Sequence, residues 1–331
     1  MSMPKSYSPP QALLALLADG QWHSGEALGH ALGVSRAAVA KKIKQLELYG
    51  LSVDITKGRG YRLPGGLDLI DAPDVRSRLA RECGDLCRFE LFDSIDSTNQ
   101  YLMDQARTGS EVKGHIVAAE KQTAGRGRRG RAWHSPYASN LYFSVAWRFE
   151  QGLRAVEGLS LAVGLVVCQV LERVGLTTGL ELKWPNDLLF GGRKLAGILI
   201  EVGGDAISDC LVVIGIGLNV HMRNASPLDT PWASLPAEGG WSRSALLADL
   251  GAAIVTLLQT YPERGFKDYQ VEWNQRCAYS GQAVVLSGGG QLVQGILCGV
   301  SSNGALQLCI EGEVTEFIGG ELSLRPYAST D

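Results

Sequence analysis

The densest group of chemically active side chains is the segment at residues 125–131, GRGRRGR, which follows the apolar stretch HIVAAEKQ. Its spelling fits the GxGxxG pattern of dinucleotide-binding proteins, but that pattern should open a helix, and the continuation RAWHSPYASN contains a proline and turn-forming residues. A P-loop needs Lys and then Ser or Thr after its second glycine, where this chain has Arg131 and Ala132. Guanidinium groups and backbone N–H donors in a flexible loop favour binding of a phosphate or a carboxylate.

A second group of candidate residues surrounds two lysines. Lys183 lies in LKWPND and Lys194 in RKLAGILIE, and the Gly191-Gly192 pair between them predicts a hairpin turn that sets Lys194 at the start of a core strand. Lysines at strand ends are usually only solvated, and an arginine-rich loop can be a solvated surface or an RNA-binding segment of the RGG type. Both lysines together with Asp187 and the loop arginines favour a site that activates an anion.

The first 66 residues must position different chemistry, because their pattern predicts a helix-turn-helix. QALLALLADG predicts a helix closed by Gly20, and SGEALGHAL predicts a second helix capped by Ser24. A third helix starts after Ser35, which can cap it, and buries Val39, Ile43 and Leu46 at i, i+4 and i+7. Its opposite face is small and cationic, which lets a helix approach the major groove while ammonium groups reach phosphates. That face comprises Ala37, Ala40, Lys41 and Lys44.

A hairpin with a cationic tip completes a winged helix. LSVDITKGRGYRL alternates apolar and polar residues around the turn Lys57-Gly58-Arg59-Gly60. Residues 1–66 hold eight basic and four acidic residues, a net charge of +4, whereas the whole chain carries −3. A winged helix can also serve as a protein-interaction module, but a basic module on an acidic body favours a polyanion such as DNA.

The remaining chain predicts a mixed α/β body and a small β-rich module. The helical stretch LSLAVGLVVCQVLERVG alternates with the strand candidates HIVAAEKQ, NLYFSVAWRF, LAGILIEV and CLVVIGIGLNV. AVVLS, LVQGILCGV, ALQLCI and TEFIGGELSL are short and turn-separated, which indicates an SH3-like barrel. We therefore expect domains at residues 1–66, 67–272 and 273–331.

Composition excludes two further classes of protein. No segment approaches the roughly 20 uninterrupted apolar residues of a membrane span, so we expect a cytoplasmic protein without membrane contact. The seven scattered cysteines favour reduced thiols over disulfides. Cys83 and Cys87 could supply half a zinc site, but no second pair with ligand spacing follows, so no metal site is predicted.

Several words of this sequence occur in the order seen in biotin protein ligases. They are Ser97-Thr98-Asn99, Gln122 followed by GRGRRGR and Trp133, KWPND, RKLAGILIE and IGIGLN. With the winged helix before them and the barrel after them, the chain resembles the bifunctional biotin ligase and biotin operon repressor family of bacteria over nearly its whole length. The resemblance implies a winged helix-turn-helix, a central biotin/lipoyl-ligase-like α/β catalytic domain and a C-terminal SH3-like barrel.

The resemblance also implies a reaction and its partners. Biotin and ATP would form biotinyl-5′-AMP, with Mg²⁺ assisting, and a lysine of the biotin carboxyl carrier protein of acetyl-CoA carboxylase would then accept the biotin. The adenylate-bound protein would form a homodimer on operator DNA and repress biotin synthesis genes. A lipoyl or octanoyl transferase is a rival in the same enzyme class, and a regulator that senses biotinyl-AMP without turnover is a rival outside it.

Site residues follow from the same resemblance. The implied catalytic residues are Lys194, Arg128 and Lys183. The implied biotin-binding residues are Ser97, Thr98, Asn99, Gln122, Gly125, Arg126, Gly127, Arg128, Trp133, Lys194, Gly197, Ile198, Leu199, Gly215 and Gly217. The implied ATP and adenylate contacts are Arg126, Arg128, Arg129, Arg131, Lys183, Asn186, Asp187, Lys194, Asn219 and Trp232, the last from the loop HMRNASPLDTPWASL. The implied DNA contacts are Ser35, Arg36, Ala37, Ala40, Lys41, Lys44, Lys57 and Arg59.

Overall fold

The structure is a computed structural model that describes residues 11–152, 156–205, 209–223, 230–288, 291–319 and 322–327. Three groups of elements follow one another along this part of the chain. They are a helical module with a small hairpin, a seven-stranded sheet with helices, and a five-stranded antiparallel sheet. This order confirms the fold class predicted from the sequence.

The first module contains α1 (Gln11–Leu17), α2 (Gly25–Leu32) and α3 (Arg36–Leu46). The hydroxyl groups of Ser24 and Ser35 accept hydrogen bonds from backbone N–H groups in the first turns of α2 and α3, so both predicted N-caps are confirmed. Val39, Ile43 and Leu46 are buried, as their spacing predicts. The four residues of the opposite face, Ala37, Ala40, Lys41 and Lys44, are exposed.

A two-stranded hairpin follows α3, with β1 at Asp54–Thr56 and β2 at Gly60–Arg62. The strands pair antiparallel around a tip that contains Lys57 and Arg59, which confirms the predicted wing. A third segment supports it, because His23 and Tyr61 exchange two backbone hydrogen bonds of 2.9 Å.

The central sheet has the strand order β3-β4-β5-β9-β8-β7-β6. Its strands are β3 (Arg88–Phe92), β4 (His115–Ala119), β5 (Leu141–Phe149), β6 (Leu180–Lys183), β7 (Asp187–Phe190), β8 (Arg193–Asp205) and β9 (Asp209–Leu218). β3 and β4 are parallel and the other pairs are antiparallel. The predicted turn at Gly191-Gly192 joins β7 and β8, and both glycines have positive φ, as such a turn requires.

Helices cover the sheet unequally. The main core lies against α4 (Ala72–Cys83), α6 (Leu159–Arg173) and α7 (Arg243–Arg264), whereas α5 (Thr98–Arg107) packs on the other face through Leu102 and Met103. Helix α7 is long and apolar enough to cross a membrane by length and composition alone. Its most apolar window is 67% buried inside the protein, as expected for a core helix.

The last sheet consists of β10 (Ala283–Gly288), β11 (Gln291–Val300), β12 (Leu306–Ile310), β13 (Glu313–Phe317) and β14 (Ser323–Pro326). Its antiparallel order, β13-β12-β11-β10-β14, is consistent with the predicted SH3-like fold. The predicted boundary after residue 272 falls inside α8 (Gln270–Gln275), and residues of this sheet share the main core with the central domain. Residues 1–10 and 328–331 lie outside the described residues.

Candidate active site

A β-bulge gives Lys194 its orientation. Asp187 pairs with Gly197 and Leu188 with Ala196, but Leu189 pairs with Lys194, so β8 contains an extra residue at Leu195. Residues three apart on a regular strand point to opposite faces, whereas a bulge re-aims the side chain that precedes it. The ammonium group of Lys194 consequently lies near Gly197, where an added Cβ would be 3.3 Å from its Nζ.

The ammonium group of Lys194 belongs to a charged cluster beside β7. Its Nζ lies 2.6 Å from Oδ1 of Asp187. Burial lowers the pKa of Lys183, an effect that the nearby Asp187 carboxylate opposes. Burial also lowers the pKa of Arg128, whose Nη1 donates to Oδ1 of Asn186 at 3.2 Å. These groups join residues 125–131, the glycine-arginine loop, to the KWPND segment in a compact cationic cluster.

A floor of three glycines lies beside this cluster. Gly197 and Gly217 are cross-strand neighbours on β8 and β9, and Gly215 pairs with Leu199. The Trp133 ring rests on this floor, because a Cβ added to Gly217 would lie 2.3 Å from a ring carbon. The Nζ of Lys194 is 5.3 Å from the centroid of the same ring. The absence of side chains here thus leaves room for a flat group against the sheet.

The far end of the glycine floor is lined by polar groups that make a continuous hydrogen-bond network. The backbone N–H of Thr98 donates to Oε1 of Gln122 at 2.9 Å, and its hydroxyl lies 2.7 Å from that of Ser144. The Ser144 hydroxyl in turn donates to Oδ1 of Asn99 at 2.6 Å. The Ser97 hydroxyl caps α5 by accepting a hydrogen bond from the N–H of Gln100. The cap fixes the start of the helix and thereby positions Thr98 and Asn99 of the network. Such an arrangement can fix the orientation of a small polar ring.

An acidic side chain closes this pocket. Glu201 accepts a hydrogen bond from Nδ2 of Asn99 at 2.7 Å, and both of its carboxylate oxygens lie 3.1 Å from Nη2 of Arg126. In this structure Glu201 is therefore the anion that holds one arm of the glycine-arginine loop over the sheet. The loop itself is irregular apart from one 3₁₀ turn at Arg128–Gly130, which agrees with the expectation that it opens no α-helix.

Some residues implied by the resemblance lie away from the glycine floor. The Ile198 side chain is 3% exposed and belongs to the main core on the opposite face of β8, because neighbouring strand residues alternate. It lines a shallow recess that Lys183 and Asn186 also line. Arg129 and Arg131 are exposed, and Arg129 donates to the backbone carbonyl of Ser287 in the C-terminal sheet. The structure does not bring these three side chains onto the floor.

Asn219 and Trp232 support the site through backbone contacts. The buried Asn219 side chain donates to the carbonyls of Lys194 and Ala233. Trp232 forms a β-bridge with Lys194, whose N–H donates to the carbonyl of Pro231 at 3.0 Å. This arrangement holds the Trp232 segment beside Lys194, while residues 224–229 of the loop HMRNASPLDTPWASL lie outside the described residues.

Ser144, Glu201 and the buried ion pair of Arg243 with Glu120 were not predicted from the sequence. Arg243 is 0% exposed and its Nη2 lies 2.7 Å from Oε2 of Glu120. Ser144 and Glu201 occur inside strand patterns where a single polar residue is an ordinary event. Only the pairing of β5, β8 and β9 brings them to Asn99.

Asp187 is the carboxylate of the cationic cluster, and it suits a metal ion only when a bound ligand supplies further oxygen atoms. In the part of the chain that the structure describes, no group of three or more His, Cys, Asp or Glu side chains is arranged to hold a metal ion. Mg²⁺ is commonly held by one or two carboxylates together with phosphate oxygens and water. Asp187 fits that use, since its carboxylate faces the cationic cluster and is 18% exposed.

The residues expected to contact DNA lie on one module but in two elements. Arg36, Ala37, Ala40, Lys41 and Lys44 are exposed along α3, where Ser35 forms the N-cap. Lys57 and Arg59 are exposed at the tip of the wing. A helix and a hairpin that both present cations match the way winged helices grip a duplex, and contact with DNA stays a prediction for each residue.

Comparisons with known proteins bear on both parts of the chain. The Biotin/lipoate A/B protein ligase family matches residues 91–219, and an HTH domain matches residues 11–62. The bifunctional ligase/repressor BirA of Salmonella typhimurium is 40% identical over 324 residues, which cover 97% of this chain and 99% of that protein. The protein of the same name from Escherichia coli is also 40% identical, over 97% of this chain and 98% of its own length.

A solved structure shares the fold of the catalytic part. The biotin protein ligase from Aquifex aeolicus, in complex with biotin and ATP, superimposes with a TM-score of 0.63 at 30% identity. The match covers 72% of this chain and 99% of that one.

Proposed function

We propose roles for individual residues from the fact that the chain belongs to the family of bifunctional biotin ligases and repressors. It is an ATP-dependent biotin protein ligase that forms biotinyl-5′-AMP and transfers biotin to a lysine of the biotin carboxyl carrier protein of acetyl-CoA carboxylase. It is also a biotinyl-AMP-dependent repressor of biotin synthesis genes. An identity of 40% with a ligase/repressor, over 97% of the chain, supports both activities.

Biotin occupies the glycine floor, with the Trp133 ring moved to cover it. The ureido group meets the polar end formed by Thr98, Asn99 and Gln122, and the valeryl chain runs along the strands toward Lys194. This direction places the carboxylate beside the cationic cluster, where its negative charge is stabilised.

ATP places its phosphates among Lys183, Lys194 and Arg128. Before substrate binds, Asp187 neutralises Lys194, so incoming phosphate must take over that ammonium group. Asp187 and the phosphates of ATP would hold Mg²⁺, which would supply further positive charge there.

The chemistry needs no covalent enzyme nucleophile. A carboxylate oxygen of biotin attacks the α-phosphorus, the bond to the β-phosphate breaks, and pyrophosphate leaves with the bonding electrons. The ε-amine of the carrier lysine then attacks the biotinyl carbonyl and AMP leaves, while the amine loses a proton to solvent. Lys194 serves the first step by holding two anions together, which Coulomb repulsion otherwise opposes.

The glycine-arginine loop protects the intermediate from water. Arg126 leaves its ion pair with Glu201 and binds the phosphate of the adenylate, while Arg128 keeps its hydrogen bond to Asn186. Closure of this kind retains a reactive acyl adenylate until the carrier arrives.

Repression follows from the same intermediate. The adenylate-bound chain forms a homodimer, which places two α3 helices on neighbouring half-sites of operator DNA. Unmodified carrier protein consumes the adenylate and relieves repression. All of these partners are cytoplasmic, and we place the protein in that compartment.

The observation that carries the ligase assignment is the position of Lys194 beside the β8 bulge, where its side chain joins the glycine floor to the cationic cluster. Biotin-dependent exchange of labelled pyrophosphate into ATP tests it. Exchange with biotin but not with lipoate or octanoate is expected. Exchange with lipoate or octanoate would indicate a lipoyl-type enzyme, and no exchange would leave a regulator without turnover.

A further inference from the structure

Arg59 at the tip of the wing is held by an aromatic ring rather than by a carboxylate. Its guanidinium carbon lies 4.8 Å from the centroid of the Trp22 ring, in the segment between α1 and α2. Among the described residues no acidic side chain lies within ion-pair distance of Arg59, and the side chain is exposed. Its charge is thus available while its conformation is restrained.

The backbone beneath this contact is fixed as well. His23, the neighbour of Trp22, is bridged to Tyr61 on β2. Gly60 has φ +102°, and a Cβ there would lie only 2.0 Å from the carbonyl oxygen of His23. The wing therefore cannot shift away from the Trp22 segment without breaking this close backbone packing.

Arg62 shows why a second cation is tolerated beside the same ring. Its guanidinium also lies 4.8 Å from the Trp22 centroid, but Nη2 is 2.6 Å from Oδ2 of Asp54, its cross-strand partner. Asp54 neutralises Arg62, so the two guanidinium groups do not repel each other as two unmatched charges would. Of these two arginines, Arg59 is therefore the one whose charge is available to bind an external anion.

We propose that Trp22 is a positioning residue that holds Arg59 for contact with a DNA phosphate beside the groove occupied by α3. This inference rests on the repressor half of the proposed function. A ring that packs on one face of a guanidinium group leaves the N–H donors along its edge free to bind a phosphate. A side chain that is already confined loses less rotamer entropy when it binds.

A double-mutant cycle on the full chain tests this role. Trp22→Leu, Arg59→Ala and the double variant are titrated, with biotin and ATP present, against a labelled duplex enriched from a random-sequence library by the wild-type protein. Arg59→Ala should reduce the slope of log affinity against log salt by about one. Trp22→Leu should weaken binding about two- to fivefold at fixed salt and keep the slope, because the charge remains. In the Arg59→Ala background, Trp22→Leu should have no further effect.

Equal losses from Trp22→Leu in both backgrounds would assign Trp22 to the packing of the module alone and overturn the proposal. An unchanged salt slope in Arg59→Ala would overturn it too. If melting shows that Trp22→Leu unfolds the module, the cycle is run with Trp22→Phe, for which a smaller coupling of the same sign is expected and zero coupling is contradictory. A library that yields no duplex would overturn repression itself, which is distinct from loss of coupling alone.

Discussion

In the proposed function, Lys194 stands where two anionic substrates must meet. Its ammonium group contacts the Asp187 carboxylate and lies over the Trp133 ring, so one side chain reaches both the phosphate cluster and the glycine floor. It is 25% exposed and takes no part in a hydrophobic cluster, which separates its chemical role from stability.

We expect Lys194→Ala to reduce adenylate formation roughly a hundred- to thousandfold, the usual cost of removing a charge-stabilising donor. The melting temperature should change little, because Lys183 still faces Asp187. Pyrophosphate exchange and thermal melting are measured on the same samples. Lys113→Ala is a matched control, since Lys113 also lies over a tryptophan ring, that of Trp147, at 5.1 Å. Wild-type exchange in Lys194→Ala would exclude the residue from the mechanism.

We expect Arg128 to affect retention of the intermediate more than its synthesis. Its contact with Asn186 ties the loop to the KWPND segment, and Arg128→Gly removes that tie. We expect biotinyl-AMP to escape and acylate lysines of bystander protein. Streptavidin blots of albumin incubated with enzyme, biotin and ATP measure this. Labelling confined to the carrier protein would show that Arg128 does not retain the adenylate.

The residues found from sequence were those concentrated in short segments. The loop arginines, Lys183 and Lys194 stand out because several unusual residues occur close together. Ser144 and Glu201 do not, since their partner Asn99 is 45 and 102 residues away. No local signal reports a contact between side chains that far apart in the chain.

At the scale of elements, β8 and β9 supply a surface from which side chains are absent. Gly197 and Gly217 face each other across the two strands, and the Trp133 ring fills the space above them. The strands are therefore specialised for the approach of a flat group, and the loop that carries Trp133 depends on that space.

Gly217→Ala should push Trp133 off the floor. Its new Cβ would lie 2.3–2.6 Å from three ring atoms, and overpacking of this kind costs about 1–3 kcal/mol unless the ring moves. We expect biotin affinity to fall roughly tenfold or more and the adenylate to dissociate faster, with little change in melting temperature. Isothermal titration and adenylate release measure both effects.

Gly203→Ala is the matched control on β8. Its Cβ would meet the terminal methyl group of Met103 at 3.0 Å, the far end of a flexible side chain. Biotin affinity near the wild-type value is expected there. Equal losses of biotin affinity in both variants would mean that the strands themselves, and not the position of the Trp133 ring, determine affinity.

The exposed face of α3 should contribute charge to DNA binding. Lys41→Ala and Lys44→Ala are each expected to reduce the salt slope of DNA affinity by about one if each lysine contacts one phosphate. Neither should alter pyrophosphate exchange, because α3 belongs to a separate module. Loss of exchange in either variant would contradict that separation, and unchanged slopes would remove these lysines from the interface.

Elements with local signals were predictable, but their arrangement was not. Caps at Ser24 and Ser35, the wing and the turn at Gly191-Gly192 follow from short-range rules. The order of the central sheet, the bulge that re-aims Lys194 and the side on which α5 packs depend on contacts between distant segments. Ile198 illustrates the limit, since the predicted pocket residue points into the core.

Across the whole molecule, the winged helix packs against the segment that follows the glycine-arginine loop. Tyr49, just after α3, meets Tyr137 edge-on at a centroid distance of 5.7 Å, and Tyr137 follows the glycine-arginine loop by a few residues. The linker is held as well, because the N–H of Ile70 donates to Glu120 at 2.7 Å and Nη1 of Arg243 donates to the carbonyl of Asp68 at 2.6 Å. An ordered loop therefore has a physical route to the DNA-binding module.

In the proposed function one intermediate serves both activities, and linkage then requires the adenylate and the operator to strengthen each other's binding. The direct measurement is a titration of labelled operator DNA at fixed salt, with protein alone, with biotin plus ATP, and with unmodified carrier protein added last. We expect biotin plus ATP to tighten binding and promote a dimer on the DNA, and the carrier to reverse both effects. Operator affinity that is the same under all three conditions would exclude regulation by the adenylate and leave only the ligase activity.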